Sequence, residues 1–269
     1  MREISKITSR DNRRLVHARK VRDGKEREQI FIEGRRLVNE ALSSSLLIDE
    51  CFVTDDFNDY ELLKAISDRT EIIAQIPARI FASIADTDQS QGIILLAKRP
   101  IAVTEFSLTD AILPIVVFLK EINNPSNLGA VLRAALAAGV SGVLVSTNSA
   151  DVYSPKALRS AMGATFRLPI WDNADSEDVL SWAKTKKMIT TAADVSAPKS
   201  YIEIDWTAPR LLILGSEAHG LTDEELAGVN EKINIPMTNH VESLNLAVSA
   251  GIILFEAKRQ NELRAETRV

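Results

Sequence analysis

Residues 112–146, ILPIVVFLKEINNPSNLGAVLRAALAAGVSGVLVS, contain the pattern that decides the fold of this chain. The apolar run at 112–119 is typical of a β-strand that is buried on both faces. Residues 127–138 follow with the spacing of an α-helix, and residues 142–146 predict a second strand. A strand, a helix and another strand in this order predict a parallel sheet with the helix packed on its face.

The same alternation continues to the end of the chain. Further strands are predicted at 188–192, 210–214 and 233–235, and further helices at 155–164, 177–186, 223–229 and 243–264. Together these elements predict an α/β domain with a mostly parallel sheet, spanning residues 106–269.

A smaller α/β domain is predicted before it, over residues 1–105. The predicted strands are 31–32, 50–53, 71–75 and 92–97, and the predicted helices are 35–47, 60–67 and 77–85. The segment Lys98-Arg99-Pro100 and the polar stretch 104–110 are typical of a linker between the two domains.

The chain has 269 residues, 45% of them apolar and 26% charged, which is the composition of an ordinary folded protein. Its longest apolar stretches fall far short of the roughly 20 residues that a membrane span needs, and its charged first residues do not resemble a secretory signal. With Cys51 as the only cysteine, no internal disulfide can form, and no Cys/His cluster has the spacing of a metal site. We therefore expect a cytoplasmic protein with no metal and no membrane partner.

Basic charge is concentrated near the amino terminus. The net charge is −5, from 32 basic and 37 acidic residues, yet residues 1–28 hold 10 basic and 5 acidic side chains. Such an arm can neutralise nucleic-acid phosphates. The alternative is a solvated helix face without a ligand. The candidate contacts in the arm are Arg10, Arg13, Arg14, Arg19 and Lys20.

Three polar groups each follow a predicted strand of the larger domain. Residues 123–135 (NNPSNLGAVLRAA) carry Asn127 and Arg133, whose spacing of nearly two helical turns could place both at one cleft. Residues 214–221 (LGSEAHGL) place Glu217 between two glycines, and residues 235–245 (IPMTNHVESLN) precede the last helix. Because open α/β sheets bind ligands at such strand ends, we expect a small-molecule pocket here.

Each group also has a structural explanation. Ser243 is the predicted N-cap of the last helix, Asn245 can hydrogen-bond the backbone, and Arg133 can pair with a surface acid. No GxGxxG, GxxxxGK[ST] or GxSxG pattern is present, so neither a dinucleotide site, a P-loop nor a hydrolase triad is supported.

The three groups resemble the motifs of the SpoU/TrmH family of the SPOUT superfamily, the knotted ribose 2′-O-methyltransferases of ribosomal or transfer RNA. The family's Asn-x-Gly-x₃-Arg motif is met by Asn127, Gly129 and Arg133, and its Gly-x-Glu-x-x-Gly-Leu motif is met by residues 215–221.

The resemblance extends on both sides of these motifs. The family's Ile-Pro-Met, its Ser-Leu-Asn and a helix ending in Glu are met by residues 235–237, residues 243–245 and Glu256. Residues 154–164 (SPKALRSAMGA) resemble the segment that precedes the second motif. Ile32-Glu33-Gly34 resembles part of the family's amino-terminal substrate-binding domain, which is similar to ribosomal protein L30e.

The resemblance implies methyl transfer from S-adenosylmethionine to a ribose 2′-hydroxyl by a homodimer whose carboxy-terminal domain forms a trefoil knot. Because a guanidinium resists deprotonation, we expect Arg133 to clamp an RNA phosphate rather than to act as a base. The implied catalytic residues are Arg133, Asn127, Glu217, Ser243 and Asn245. The implied cofactor-binding residues are Leu214, Gly215, Glu217, Gly220, Ile235, Met237 and Leu244.

Ribosomal RNA is the favoured substrate because of the accessory domain, with transfer RNA as the alternative. The basic arm is then expected to contact RNA, and the few aromatic residues of the first domain favour recognition by shape and phosphate contacts. Two other classes stay open. A non-catalytic RNA-binding factor is disfavoured by the complete catalytic set, and a nucleotide-dependent enzyme by the missing glycine fingerprint.

Overall fold

The structure is a computed structural model and describes residues 4–108, 113–217 and 219–267. It divides into two compact units. The first contains the described residues up to Ile101 together with Tyr153–Arg167, and the second contains the other described residues from Ala102 onward. The segment 153–167, which the sequence analysis places in the second domain, therefore packs with the first unit.

Strands and helices alternate along most of the chain. The strands are β1 (Ser5–Lys6), β2 (Gln29–Glu33), β3 (Ile48–Thr54), β4 (Ile73–Ile76), β5 (Ile93–Lys98), β6 (Leu113–Leu119), β7 (Val140–Ser146), β8 (Ile170–Ala174), β9 (Ile189–Ala193), β10 (Lys199–Ser200), β11 (Arg210–Leu214) and β12 (Glu231–Asn234). The helices are α1 (Arg13–Arg22), α2 (Arg35–Leu42), α3 (Tyr60–Ser67), α4 (Ala78–Phe81), α5 (Pro125–Ala138), α6 (Pro155–Ala161), α7 (Ser176–Thr185), α8 (Asp223–Ala227) and α9 (Leu246–Glu266).

The first unit is built on a mixed sheet of five strands in the order β1-β4-β3-β5-β2. β1, β4 and β3 run parallel, whereas β5 is antiparallel to both β3 and β2. Helix α1 buries Leu15, Ala18 and Val21 in the core of this unit, and their spacing of three places them on one helical face. Much of the predicted basic arm is therefore a packed helix.

The second unit confirms the predicted α/β class. Its sheet has seven strands in the order β10-β12-β9-β11-β6-β7-β8, and every described pairing in it is parallel. β6 and β11 pair side by side, and nearly all their residues are buried. Burial on both faces explains why these two strands are continuous apolar runs in the sequence.

The last helix begins later than predicted. The Asn245 side chain accepts a hydrogen bond from the Ala247 amide at 2.9 Å and so caps α9, which starts at Leu246. The prediction that Ser243 is the N-cap is therefore wrong. Both residues have cap-forming side chains, and the path of the loop before the helix decides between them.

Other differences from the predicted elements have local causes. α6 ends at Ala161, before the predicted end at 164, because Met162 and Gly163 have left-handed φ values of 51° and 87°. α4 covers only part of the predicted helix 77–85. Helix α1 and strand β8 were not predicted. The many charged residues of α1 make its apolar spacing difficult to recognise, and the carboxyl half of β8 is polar.

The final elements return towards the middle of the second sheet. β12 pairs with β9, and α9 then packs against α5 and β6. This return path is consistent with the implied trefoil knot, which stays a prediction.

Candidate active site

The loops after β9, β11 and β12 and the start of α9 enclose a cavity of about 510 Å³. It lies at the carboxyl ends of parallel strands, where open α/β sheets bind ligands. Every residue that the sequence analysis assigns to the cofactor lines this cavity. These residues are Leu214, Gly215, Glu217, Gly220, Ile235, Met237 and Leu244.

The loop after β11 closes on itself through two glycines. A Cβ atom on Gly215 would lie 2.5 Å from backbone atoms of Gly220, closer than real Cβ contacts allow. Gly220 has a left-handed φ of 65°, and its amide donates to the Ser216 carbonyl at 2.8 Å. The shape of the loop therefore requires glycine at 215 and favours it at 220, and Glu217 lies between them.

A chain of three polar side chains lies beside the cavity. The Asn127 amide donates to the Glu217 carboxylate, and the Asn245 amide donates to the Asn127 side-chain carbonyl at 3.2 Å. Asn127 lies in the first turn of α5 and Asn245 caps α9, so the amino ends of two helices meet near Glu217. The positive ends of the helix dipoles favour a carboxylate there. Three of the five predicted catalytic residues are thus directly connected.

The other two predicted catalytic residues are placed differently. Ser243 lines the cavity and is exposed. Arg133 is exposed near the middle of α5 and does not line the cavity. Six helical positions turn its side chain about 120° away from that of Asn127 around the helix axis. Arg133 therefore points to a different side of α5 from Asn127, which contacts Glu217.

The cavity is acidic and partly apolar. Asp194, directly after β9, and Glu217 line it, whereas none of the described lining residues is Lys or Arg. The sequence analysis missed Asp194, although a polar residue after a strand is the same signal that identified Glu217. An apolar ligand that carries positive charge suits this lining.

Two further pieces of the motifs lie outside the cavity. Glu256 in α9 accepts two hydrogen bonds from Arg259, at 2.7 and 2.8 Å, and these bonds hold the pKa of Glu256 below its ordinary value. Segment 154–164 belongs to the first unit, where Arg159 forms an ion pair with Asp86 at 2.6 Å. Both pieces therefore stabilise the fold.

The candidate RNA contacts near the amino terminus differ in how far their side chains are already bonded within the protein. Arg14 forms an ion pair with Glu50 at 2.5 Å. Burial raises the pKa of the Glu50 carboxyl, and the Arg14 guanidinium opposes that rise. Arg19 donates to the Arg10 carbonyl at 2.9 Å, which leaves it less available to a ligand. The candidates with exposed side chains are Arg10, Arg13 and Lys20.

The described residues include no group of three or more His, Cys, Asp or Glu side chains able to hold a metal ion. None of the described helices combines the length and apolar character of a membrane span. Cys51 is free and buried in the first unit.

A profile of the SpoU rRNA Methylase family matches residues 114–255, more than half of the chain. The chain belongs to this family. The matched region of this SpoU methylase contains the Asn127–Glu217–Asn245 chain and most of the cavity lining. A second profile, described as an MRM3-like substrate binding domain, matches residues 11–95. The two matches confirm the family predicted from the sequence motifs.

Known relatives of this SpoU methylase carry related names. It is 28% identical to an uncharacterized tRNA/rRNA methyltransferase of Synechocystis sp., over 96% of this chain and 95% of the relative. It is 29% identical to the 23S rRNA (uridine(2479)-2′-O)-methyltransferase of Streptomyces viridochromogenes, over 74% of this chain and 70% of the relative. The crystal structure of an AdoMet-bound rRNA methyltransferase from Sinorhizobium meliloti aligns with a TM-score of 0.84 at 25% identity, over 95% of this chain and 98% of that one.

Proposed function

We propose that this SpoU methylase transfers a methyl group from S-adenosylmethionine to a ribose 2′-hydroxyl in ribosomal RNA. The observation that carries the proposal is the cavity, because it lies in the family-matched region and is lined by all the residues predicted to bind the cofactor. The relative named as a 23S rRNA 2′-O-methyltransferase and the AdoMet-bound rRNA methyltransferase support the substrate and the cofactor.

The cavity suits S-adenosylmethionine in size, polarity and charge. Its volume of about 510 Å³ falls in the range of small-molecule sites. Leu214, Ile235 and Met237 offer apolar side chains to the adenine, and the carboxylates of Asp194 and Glu217 complement the cofactor's sulfonium and ammonium charges. When bound, the cofactor supplies an electrophilic methyl group.

We assign positioning roles to the polar side chains at the cavity. A direct displacement depends on holding the hydroxyl in line with the methyl group, and small misplacements are costly. The Asn127 amide and the two helix termini hold the Glu217 carboxylate in place, so that it can orient a cationic or hydroxyl group. Ser243, exposed in the cavity wall, is available to contact the ribose.

We place Arg133 at the active site of a partner subunit in a homodimer. Arg133 is exposed on α5 and does not line its own cavity. On α9, which packs against α5, Val248 and Phe255 lie two turns apart and are 50% and 48% exposed. Exposed apolar side chains on one helical face are typical of an interface. A dimer that buries them supports phosphate binding by Arg133 across the interface.

A cytoplasmic location stays a prediction.

The reaction is tested by methyl transfer from labelled S-adenosylmethionine into unmodified ribosomal and transfer RNA. We expect label at one ribose 2′-oxygen of ribosomal RNA, and little label with Arg133→Ala. The matched control is Lys184→Ala, which removes an exposed cation from α7 of the same unit and should keep wild-type activity. Label in transfer RNA alone would contradict the choice of substrate. No label in either pool, despite cofactor binding, would favour a non-catalytic RNA-binding factor.

The shared active site is tested by subunit complementation. Heterodimers of Arg133→Ala and Glu217→Gln subunits, isolated through two different affinity tags, contain one complete site if Arg133 acts in the partner. We then expect about half of the wild-type activity, from two inactive parents. An inactive heterodimer would place Arg133 and Glu217 in the same subunit's site and refute the assignment.

A further inference from the structure

A second cavity, of about 550 Å³, lies within the first unit and has no role in the proposed reaction. It is bounded by the start of α2, the loop after β3 and the loop before β5. Its lining is mostly polar and includes the rings of Phe57 and the buried Phe81. The proposal below depends on Arg35, Asp56, Phe57, Asn58, Asp88 and Gln91.

The walls of this cavity are held in place by the protein's own hydrogen bonds. Glu33 is only 5% exposed, and its carboxylate accepts three hydrogen bonds from residues 86–87, at 2.8 to 3.3 Å. The Gln91 side chain accepts a hydrogen bond from the Arg35 amide at 2.8 Å. These bonds tie the loop before β5 to the end of β2. The Ile32-Glu33-Gly34 segment thus has a structural purpose, because it shapes a preformed site.

Arg35 and Phe57 present a flat surface in this cavity. The guanidinium carbon of Arg35 lies 4.9 Å from the Phe57 ring centroid, and an ion pair with Asp59 at 3.3 Å holds it there. The Arg35 side chain is still 42% exposed. Guanidinium planes and aromatic rings are the groups on which proteins stack unpaired bases.

The other lining groups match the edge of a base better than a phosphate. Asp56 and Asp88 are negatively charged, and Arg35, the basic residue among the described lining residues, already has a carboxylate partner. A phosphate is repelled by such a lining, whereas carboxylates accept hydrogen bonds from the N–H groups of bases. The amides of Asn58 and Gln91 can donate as well as accept.

We propose that this cavity receives one unpaired nucleotide of the RNA substrate, with its base stacked against Arg35 and Phe57 and its edge facing Asp88. The identity of the RNA rests on the proposed function. This proposal adds base stacking to the expected recognition by shape and phosphate contacts, because Arg35 and Phe57 form a stacking surface that the low aromatic content of the sequence does not reveal. The unit then selects single-stranded or bulged RNA.

The proposal is tested by the affinity of the full-length protein for unmodified ribosomal RNA. Phe57→Leu keeps an apolar side chain and removes the ring plane, and Arg35→Ala removes the guanidinium. We expect each to weaken RNA binding by roughly tenfold, the loss associated with one stacked base. The matched control is Lys64→Ala, which removes one exposed cation from α3 of the same unit and should bind RNA like wild type. Circular dichroism and a thermal melt of each variant report on the fold of the whole chain, including the first unit.

Competition experiments identify the structure of the bound RNA. A short single strand should displace the ribosomal RNA from the wild type, whereas the duplex of the same sequence should not, and Phe57→Leu should lose this preference. Wild-type RNA affinity in both cavity variants, with methyl transfer intact, would overturn the inference and leave the proposed function standing. A wild-type protein that methylates no RNA yet shows the expected competition would overturn the proposed function alone.

Discussion

Replacing Gly215 with alanine tests whether the closed loop after β11 shapes the cofactor cavity. The added Cβ would lie 2.5 Å from the carbonyl carbon and oxygen of Gly220 and 2.9 Å from the Leu221 Cγ. The Gly220 atoms belong to the backbone and cannot rotate away, so the loop must open by roughly 0.5 Å or more. Overpacking of this kind costs about 1–3 kcal/mol. If the whole cost reduces the free energy of cofactor binding, the affinity for the cofactor drops by roughly 5- to 150-fold.

The assay is calorimetric titration with S-adenosylmethionine, together with a thermal melt without ligand. The matched control is Gly228→Ala, whose Cβ would meet its nearest atoms at 3.5 and 3.7 Å, an ordinary contact, and whose φ of −82° suits alanine. We expect the control to bind like wild type and Gly215→Ala to bind at least about fivefold more weakly. A Gly215→Ala protein with wild-type affinity would refute the steric argument and the placement of the cofactor against this loop.

Three further outcomes follow from side-chain contacts. Asn127→Ala removes the amide that holds Glu217, so single-turnover methyl transfer at saturating S-adenosylmethionine should fall by about 10- to 100-fold; wild-type single-turnover activity would contradict a positioning role. Glu231→Ala leaves the Arg210 side chain, 3% exposed, without its carboxylate, and urea unfolding should show a loss of about 3 kcal/mol. Because the pKa of Glu256 is held below its ordinary value, its ionised form stabilises the fold at neutral pH and this contribution disappears on acidification. The stability difference between wild type and Glu256→Gln should therefore shrink below roughly pH 4, and a constant difference would contradict the assignment.

Elements with strong local signals are predictable from this sequence. The run RLLIL at 210–214 coincides with β11, and the predicted helix 60–67 coincides with α3, where Asp59 caps the first turn through the Leu62 amide at 3.1 Å. Elements without such signals were missed or misjudged. The polar carboxyl end of β8 interrupts the apolar pattern that would predict a strand. The end of α6 depends on the left-handed φ of Met162, which the pattern of side chains does not predict.

The sequence by itself determined the fold class, the family and seven residues that line the first cavity, because strand ends and short-spaced motifs are local properties of the chain. Only the tertiary structure decided how distant residues meet. It joined Asn127 to Glu217, 90 positions away, and joined Asn245 to Asn127. The tertiary structure also shows that Asn245, rather than Ser243, caps α9, and that the Arg35 guanidinium lies over the ring of Phe57. Contacts of this kind depend on how loops close in space, and hydrophobic periodicity contains no information about that.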